Sequence, residues 1–286
     1  MKFTIQDNDK VTTLIELFKV IKGLNDFCKI YCKLDELFIQ IMDESHVSLL
    51  EIKIKSDWFD IYETTNEIVS FNSKILTIIM SFYKNNSIVS FETDEEHLDI
   101  IFKQDDKTEK CFQINLIDLD SDIMESQDIE HSLEFSTDTK RLDQYFSEMQ
   151  SFGDTLELVH YNDTIFMRSR GDEGKYMIKI TNDLLDDLIV EEDLQLMCKV
   201  PLRFVSLVTK LHSIFKKINV NVSEESPLTL KFFEENEKND LVNIRFFIAP
   251  KVEEDDNFDF SEFQENELEP SSEEELEKYE NKIIDH

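Results

Sequence analysis

The stretch LIDLDSDIMESQDIEHS, Leu116 to Ser132, carries six acidic side chains between Asp118 and Glu130 and no Lys or Arg. Ile123, Met124 and Ile129 interrupt it as isolated apolar residues. Strand-like alternation stops before it and resumes after it with LEFST, so it reads as an exposed connector with a few adhesive points. It lies near the middle of the part that looks globular. The expectation is that it joins two similar domains, residues 1–117 and 132–252, with 118–131 as the link and as one wall of a docking site.

Moving outward, KVTTLIELFKVIKGL (Lys10–Leu24) sets Val11, Leu14, Ile15, Leu17, Phe18, Ile21 and Leu24 near a 3.6-residue period, with Gly23 and Asn25 as stop signals. The runs CKIYCKL, LFIQIM, VSLLEIKI and FDIYE then alternate as successive antiparallel strands. Helical spacing returns in FNSKILTIIMSFYKNN, followed by strands SIVSFETD, HLDIIFKQ and KCFQINLIDLD. Beyond the connector the order recurs: LEFST, a helix in DTKRLDQYFSEMQSFGD, strands LELVHY, TIFMRSR and KYMIKIT. A last helix in PLRFVSLVTKLHSIFKK precedes INVNVS, PLTLKFFE and LVNIRFFIAP. Helices starting near residues 10, 71, 138 and 202 predict four strand-helix-strands modules in two domains.

From Glu253 the character changes. Residues 253–286 hold 15 acids and two lysines, too little apolar surface to order a chain, which predicts a mostly disordered tail. Phe258, Phe260 and Phe263 stand out in it as an aromatic cluster. Cys28, Cys32, Cys111 and Cys198 show no paired-dyad spacing and read as reduced core thiols. Neither an N-terminal apolar segment nor an uncharged run of 18 residues is present, so no leader or membrane span is expected. One alanine, Ala249, among abundant Ile, Asn, Lys, Asp and Phe fits an AT-rich genome, of a large DNA virus or an AT-rich eukaryote.

A net charge of −33 argues at first sight against nucleic acid. Its distribution argues the other way. Lys10, Lys19 and Lys22 against Glu16, Lys74 with Lys84, Lys140 and Arg141 against Asp138, Asp143 and Glu148, and Arg203, Lys210, Lys216 and Lys217 leave +7 on the predicted helices. With a Debye length of about 8 Å in physiological salt, acids on a far face scarcely lower the potential near the bases. Helices sharing one surface would therefore still attract a polyanion.

The segments IMDESHVSLLEI, FDIYE, SKIL, LIDLD, FGD, LRF, TK and FFIAPKVEEDD, in order over residues 10 to 256, resemble the eukaryotic sliding clamp, proliferating cell nuclear antigen. The resemblance implies an α+β DNA clamp fold: two similar domains, helices inside and antiparallel sheets outside a ring of three subunits. Such a clamp does no chemistry and takes no cofactor. A loader closes it around duplex DNA, where it slides and tethers DNA polymerase and other replication and repair proteins through their clamp-interacting peptides. It would work in the nucleus, or in a cytoplasmic replication compartment if viral.

Position by position, Lys22, Lys74, Arg203 and Lys210 match basic channel residues, whose role would be non-specific phosphate contact. Ile15, Glu16, Thr77, Gln144 and Ser147 stand where further channel bases are expected, with Lys10, Lys19, Lys140 and Arg141 as compensating cations. Met42, His46, Val47 and Leu49 match one wall of a partner-peptide pocket, and Pro227, Phe247, Ala249, Pro250 and Val252 its floor and far side. The connector's share would be Ile123, Met124 and Ile129, without the family's proline. Such a pocket receives a short helical turn with aromatic plugs. Subunits would join by edge-strand pairing of Lys110, Cys111, Phe112, Gln113 and Ile114, through Leu116, with Lys175, Tyr176, Met177, Ile178, Lys179 and Ile180, through Thr181. Asn162 stands where the family carries a lysine used for ubiquitin signalling.

Asp118, Asp120 and Asp122 imitate a calcium loop, but Ile123 and Ile129 occupy the glycine and bidentate-glutamate positions, so no metal is expected. The rival readings are a subunit of a heterotrimeric DNA-damage checkpoint clamp, an acidic histone-chaperone-like scaffold and a metal-dependent nuclease.

Overall fold

The computed structural model describes residues 1–104, 107–119, 123–124, 129–224, 226–233, 241–251 and 263. Its contacts gather Met1–Val252 into one compact unit and set Glu253–His286 apart as a second. The expected disorder of the tail, and Phe258, Phe260 and Val252, lie outside the described residues.

Among the described residues four α-helices form: α1 (Asn8–Leu24), α2 (Ser73–Met80), α3 (Thr139–Met149) and α4 (Leu202–Val208). Each directly follows a strand, Lys2–Ile5, Glu67–Asn72, Leu133–Asp138 and Leu196–Pro201 in turn. Three starts are fixed by side-chain caps: Asp7 accepts from the N–H groups of Asp9 and Lys10, Asn72 from Ile75, and Asp138 from Arg141. In α1 the expected stripe is buried except Ile15, which is partly buried, and each such residue contributes about 1.5–3 kcal/mol of transfer free energy.

Gly23 does not stop α1. A Cβ there would come within 2.6 Å of the Leu207 side chain, so its role is to let α1 approach α4 closely. The stop comes at Asn25, whose N–H closes on Ile21 O. The fourth helix is shorter than its periodicity predicts. Thr209 turns its hydroxyl back onto Val205 O, and the chain continues as a 3-10 turn, Thr209–Ser213.

The described strands build three antiparallel sheets. A five-stranded sheet runs Ile61–Glu63, Lys2–Ile5, Ile88–Thr93, His97–Lys103, Glu109–Asn115. A four-stranded sheet runs Gly174–Ile180, Thr164–Gly171, Thr155–Tyr161, Leu196–Pro201. The third has nine strands: Asp187–Val190, Leu133–Asp138, Lys217–Val222, Leu228–Phe233, Val242–Ile248, Ser48–Lys55, Glu36–Met42, Phe27–Cys32, Glu67–Asn72. It crosses the expected domain boundary where Val242–Ile248 pairs with Ser48–Lys55, so the two halves are joined by main-chain hydrogen bonds as well as by the connector. One apolar core runs through both.

Cys28, Cys32 and Cys198 are buried free thiols, and burial pushes Cys32 and Cys198 up to about 12. Cys111 departs from the expected core location. It is exposed, because it lies on the outward side of an edge strand.

Candidate functional site

The helices pack side by side: α2 against α1, α1 against α4 and its 3-10 extension, and these against α3. Thr77 of α2 donates to Phe18 O of α1 within this layer. Counted over the residues the helices contain, with the 3-10 turn, the net charge is +4 rather than +7. Lys84 and Lys216 fall in turns, and Lys217 opens a strand, where it pairs with Asp186 at 2.6 Å.

Lys22, Lys74, Lys140, Arg203 and Lys210 are exposed on this layer. Lys22 and Arg203 line one hollow of about 530 Å³ with Asp26, Asp43 and Glu44. Lys210 pairs with Asp143 at 3.0 Å and Lys19 with Glu16 at 2.6 Å. Lys10 and Arg141 are committed elsewhere. The Lys10 ammonium donates to Trp58 O at 2.5 Å and lies over the Trp58 ring, and Arg141 donates to Leu184 O at 2.6 Å and to Thr137 Oγ1.

Two sheets end in open edges. Among the described residues, Glu109–Asn115 pairs only with His97–Lys103, and Gly174–Ile180 only with Thr164–Gly171. Each edge carries an aromatic cluster beside a helix. Near the first, Phe82 stacks on Phe112 at 5.8 Å, and Ile75, Ile78 and Phe82 are exposed. Near the second, Phe152 lies 5.7 Å from Tyr176, whose hydroxyl donates to Glu148 of α3. The sequence reading missed the α2 patch. Its signal was available: SKILTIIM is apolar on more faces than one buried stripe requires.

The third feature is an apolar pocket of about 410 Å³ lined by Met42, His46, Val47, Ser48, Leu49, Met124, Ile129, Ser226, Pro227, Phe247 and Ala249. Its wall is the tight loop after Met42. The Asp43 carboxylate accepts N–H from Ser45 at 2.8 Å, Val47 at 2.8 Å and Ser48 at 2.6 Å, and hydroxyls from Ser45 and Ser48. Burial pushes the Asp43 pKa up, but these hydrogen bonds outweigh it and hold the acid below its ordinary value. His46 takes a left-handed backbone, φ 58°, to make the turn, and Ala249 N–H bonds to Val47 O at 2.8 Å. Of the expected pocket residues, Ile123 and Pro250 lie outside this lining. Ser48 and Ser226 are additions.

The comparisons agree with this arrangement. Residues 7–125 match the model of the proliferating cell nuclear antigen (PCNA) N-terminal domain. A probable DNA polymerase sliding clamp 2 of Paramecium bursaria Chlorella virus 1 is 26% identical over 254 residues, 88% of this chain and 92% of the relative. These similarities support a PCNA-family sliding clamp. Proliferating cell nuclear antigen 2 of Plasmodium falciparum (isolate 3D7) is 24% identical over 255 residues, 83% of this chain and 94% of the relative. The crystal structure of the PCNA2–PCNA3 complex from Sulfolobus tokodaii superposes with a TM-score of 0.77, covering 88% of this chain and 100% of that one at 18% identity. That likeness shows the clamp fold.

Proposed function

We propose that this chain is a DNA sliding clamp: it closes into a ring with two further copies, encircles duplex DNA without reading its sequence, and tethers DNA polymerase and other replication proteins. The observation that carries this reading is the pair of open sheet edges, each backed by aromatic side chains and a helix. Exposed edges of this length aggregate unless something pairs with them, and joining one copy's first edge to the next copy's second edge pairs both of these throughout a closed ring. Lys22, Lys74, Arg203 and Lys210 on the helix layer supply the phosphate contacts, and the apolar pocket receives an aromatic-bearing turn of a partner peptide. Its task is mechanical, and no bond is made or broken by it. Residues 1–117 and 132–252 act as two clamp domains linked by 118–131, in the nucleus or a viral replication compartment.

Native mass spectrometry and retention on DNA test this together. A three-fold species, retained on nicked circular duplex in the presence of a loader and released when the circle is cut, is the expected result. An obligate monomer would point to the checkpoint-clamp subunit, and cleavage of the circle with magnesium to a nuclease.

A further inference from the structure

Among the described residues of the connector, Met124 is held by the side chain of Gln40. Gln40, on strand Glu36–Met42, donates from Nε2 to Met124 O at 2.8 Å and accepts Met124 N–H at Oε1, also at 2.8 Å. Its carboxamide thereby does for one connector residue what a neighbouring strand would do. The remaining hydrogen of Nε2 goes to Glu51 Oε1 at 2.9 Å on the adjacent strand. Glu51, with a side chain only 3% exposed, is set by Arg245, whose Nη2 lies 2.9 Å from Oε2.

These partners fix which way the amide points. A buried carboxylate only accepts, so Glu51 draws the NH2 group toward itself and leaves Oε1 for the Met124 N–H. Lys or Glu at position 40 could make one of the two bonds to Met124 but not both. Met124 matters because it borders two hollows. On one side is the apolar pocket, and on the other a hollow of about 370 Å³ lined by Phe27, Tyr31, Gln40, Leu119 and others, with Met42, His46 and Leu49 shared.

We infer that Gln40, oriented by Glu51 and Arg245, is a positioning residue that latches the connector and keeps Met124 as the partition between the two hollows, so that a partner peptide meets a preformed pocket. This rests on the pocket's role proposed above. Pre-organisation of this kind lowers the ordering cost of binding and shows mainly in dissociation.

The test uses the full chain with Gln40→Ala and Gln40→Glu. Amide hydrogen exchange at Met124 reads the latch, and the dissociation rate of a synthetic peptide bearing two aromatic residues on one helical turn reads the pocket. Expected in Gln40→Ala are loss of Met124 protection and dissociation faster by about tenfold, the size set by two modest hydrogen bonds, while Gln40→Glu, whose carboxylate still accepts the Met124 N–H, keeps that protection and loses only the bond to Met124 O. Unchanged protection at Met124 in Gln40→Ala overturns the latch. Lost protection with an unchanged dissociation rate overturns its link to the pocket. Should the peptide fail to bind the parent chain, the pocket's proposed role falls and the link with it, while exchange at Met124 still decides whether the latch exists.

Discussion

Arg203, at the start of α4, donates a 3.0 Å hydrogen bond to the hydroxyl of Ser45, which itself donates to the Asp43 carboxylate. One exposed cation of the helix layer is thus braced by the loop that walls the apolar pocket, with its guanidinium 4.4 Å over the Phe204 ring. Such bracing aims the charge without neutralising it. Arg203→Ala is expected to weaken duplex DNA binding by the same factor for any sequence, and Lys22→Ala likewise. Each should reduce the slope of log K against log salt by about one, measured by titration at several salt concentrations. A sequence-dependent loss would contradict backbone-only contact.

The aromatic pair Phe82 and Phe112 leaves Phe82 half exposed beside an open edge. Phe82→Asp places a charge where subunits are expected to meet, yet removes little from the core of a single copy. Sedimentation velocity should show the three-fold species replaced by monomer, with far-UV circular dichroism unchanged. Persistence of the ring would remove α2 from the subunit contact.

The helices and most strands were legible in the sequence because apolar residues recur at 3.6 or at 2. The strands Lys2–Ile5, Glu67–Asn72, Asp187–Val190 and Leu196–Pro201 were not, for local reasons. Lys2–Ile5 is four residues long, EIVSFN runs into the apolar SKILTIIM, DLIV lies among acids, and LMCKVP ends in proline. Gly23 misled because a stop signal and a close helix contact call for the same residue. Most of the pocket residues were placed through the resemblance, and the structure brings them to one hollow. Gln40, Glu51 and Arg245 could not, because a hydrogen-bonded relay across three strands has no spacing in the chain. The same limit hid the commitment of Lys10 to Trp58 and of Arg141 to Leu184.

Glu157 and Arg168 form a buried ion pair, Nε to Oε2 2.5 Å, with side chains 5% and 1% exposed, and Arg170 reaches the other carboxylate oxygen at 3.1 Å. Removing one member leaves a charge stranded in a dry site. Glu157→Ala is expected to cost about 3–5 kcal/mol in denaturant unfolding, whereas replacing both by apolar residues of similar volume should cost far less. Equal costs for the single and double variants would mean that packing, rather than charge, holds the four-stranded sheet at this point.

The Asp43 loop makes the pocket acid-labile. Because the folded state holds the Asp43 pKa below its unfolded value of about 3.9, the group contributes stability that is fully present above that pH and is lost as pH falls through the lower folded value. Protonation turns one acceptor oxygen into a donor and releases some of the N–H groups of Ser45, Val47 and Ser48, so His46 and Val47 lose their fixed place in the wall. Peptide binding should therefore weaken only once pH falls below the ordinary carboxylate value and through the lower folded one. Asp43→Asn keeps the shape with weaker acceptance, and should reproduce at pH 7 part of the loss that acid causes in the parent chain. Isothermal titration of the two proteins at pH 7, and of the parent at steps below pH 3.8, checks this, and a parent whose affinity stays flat as Asp43 protonates would separate the loop from the pocket.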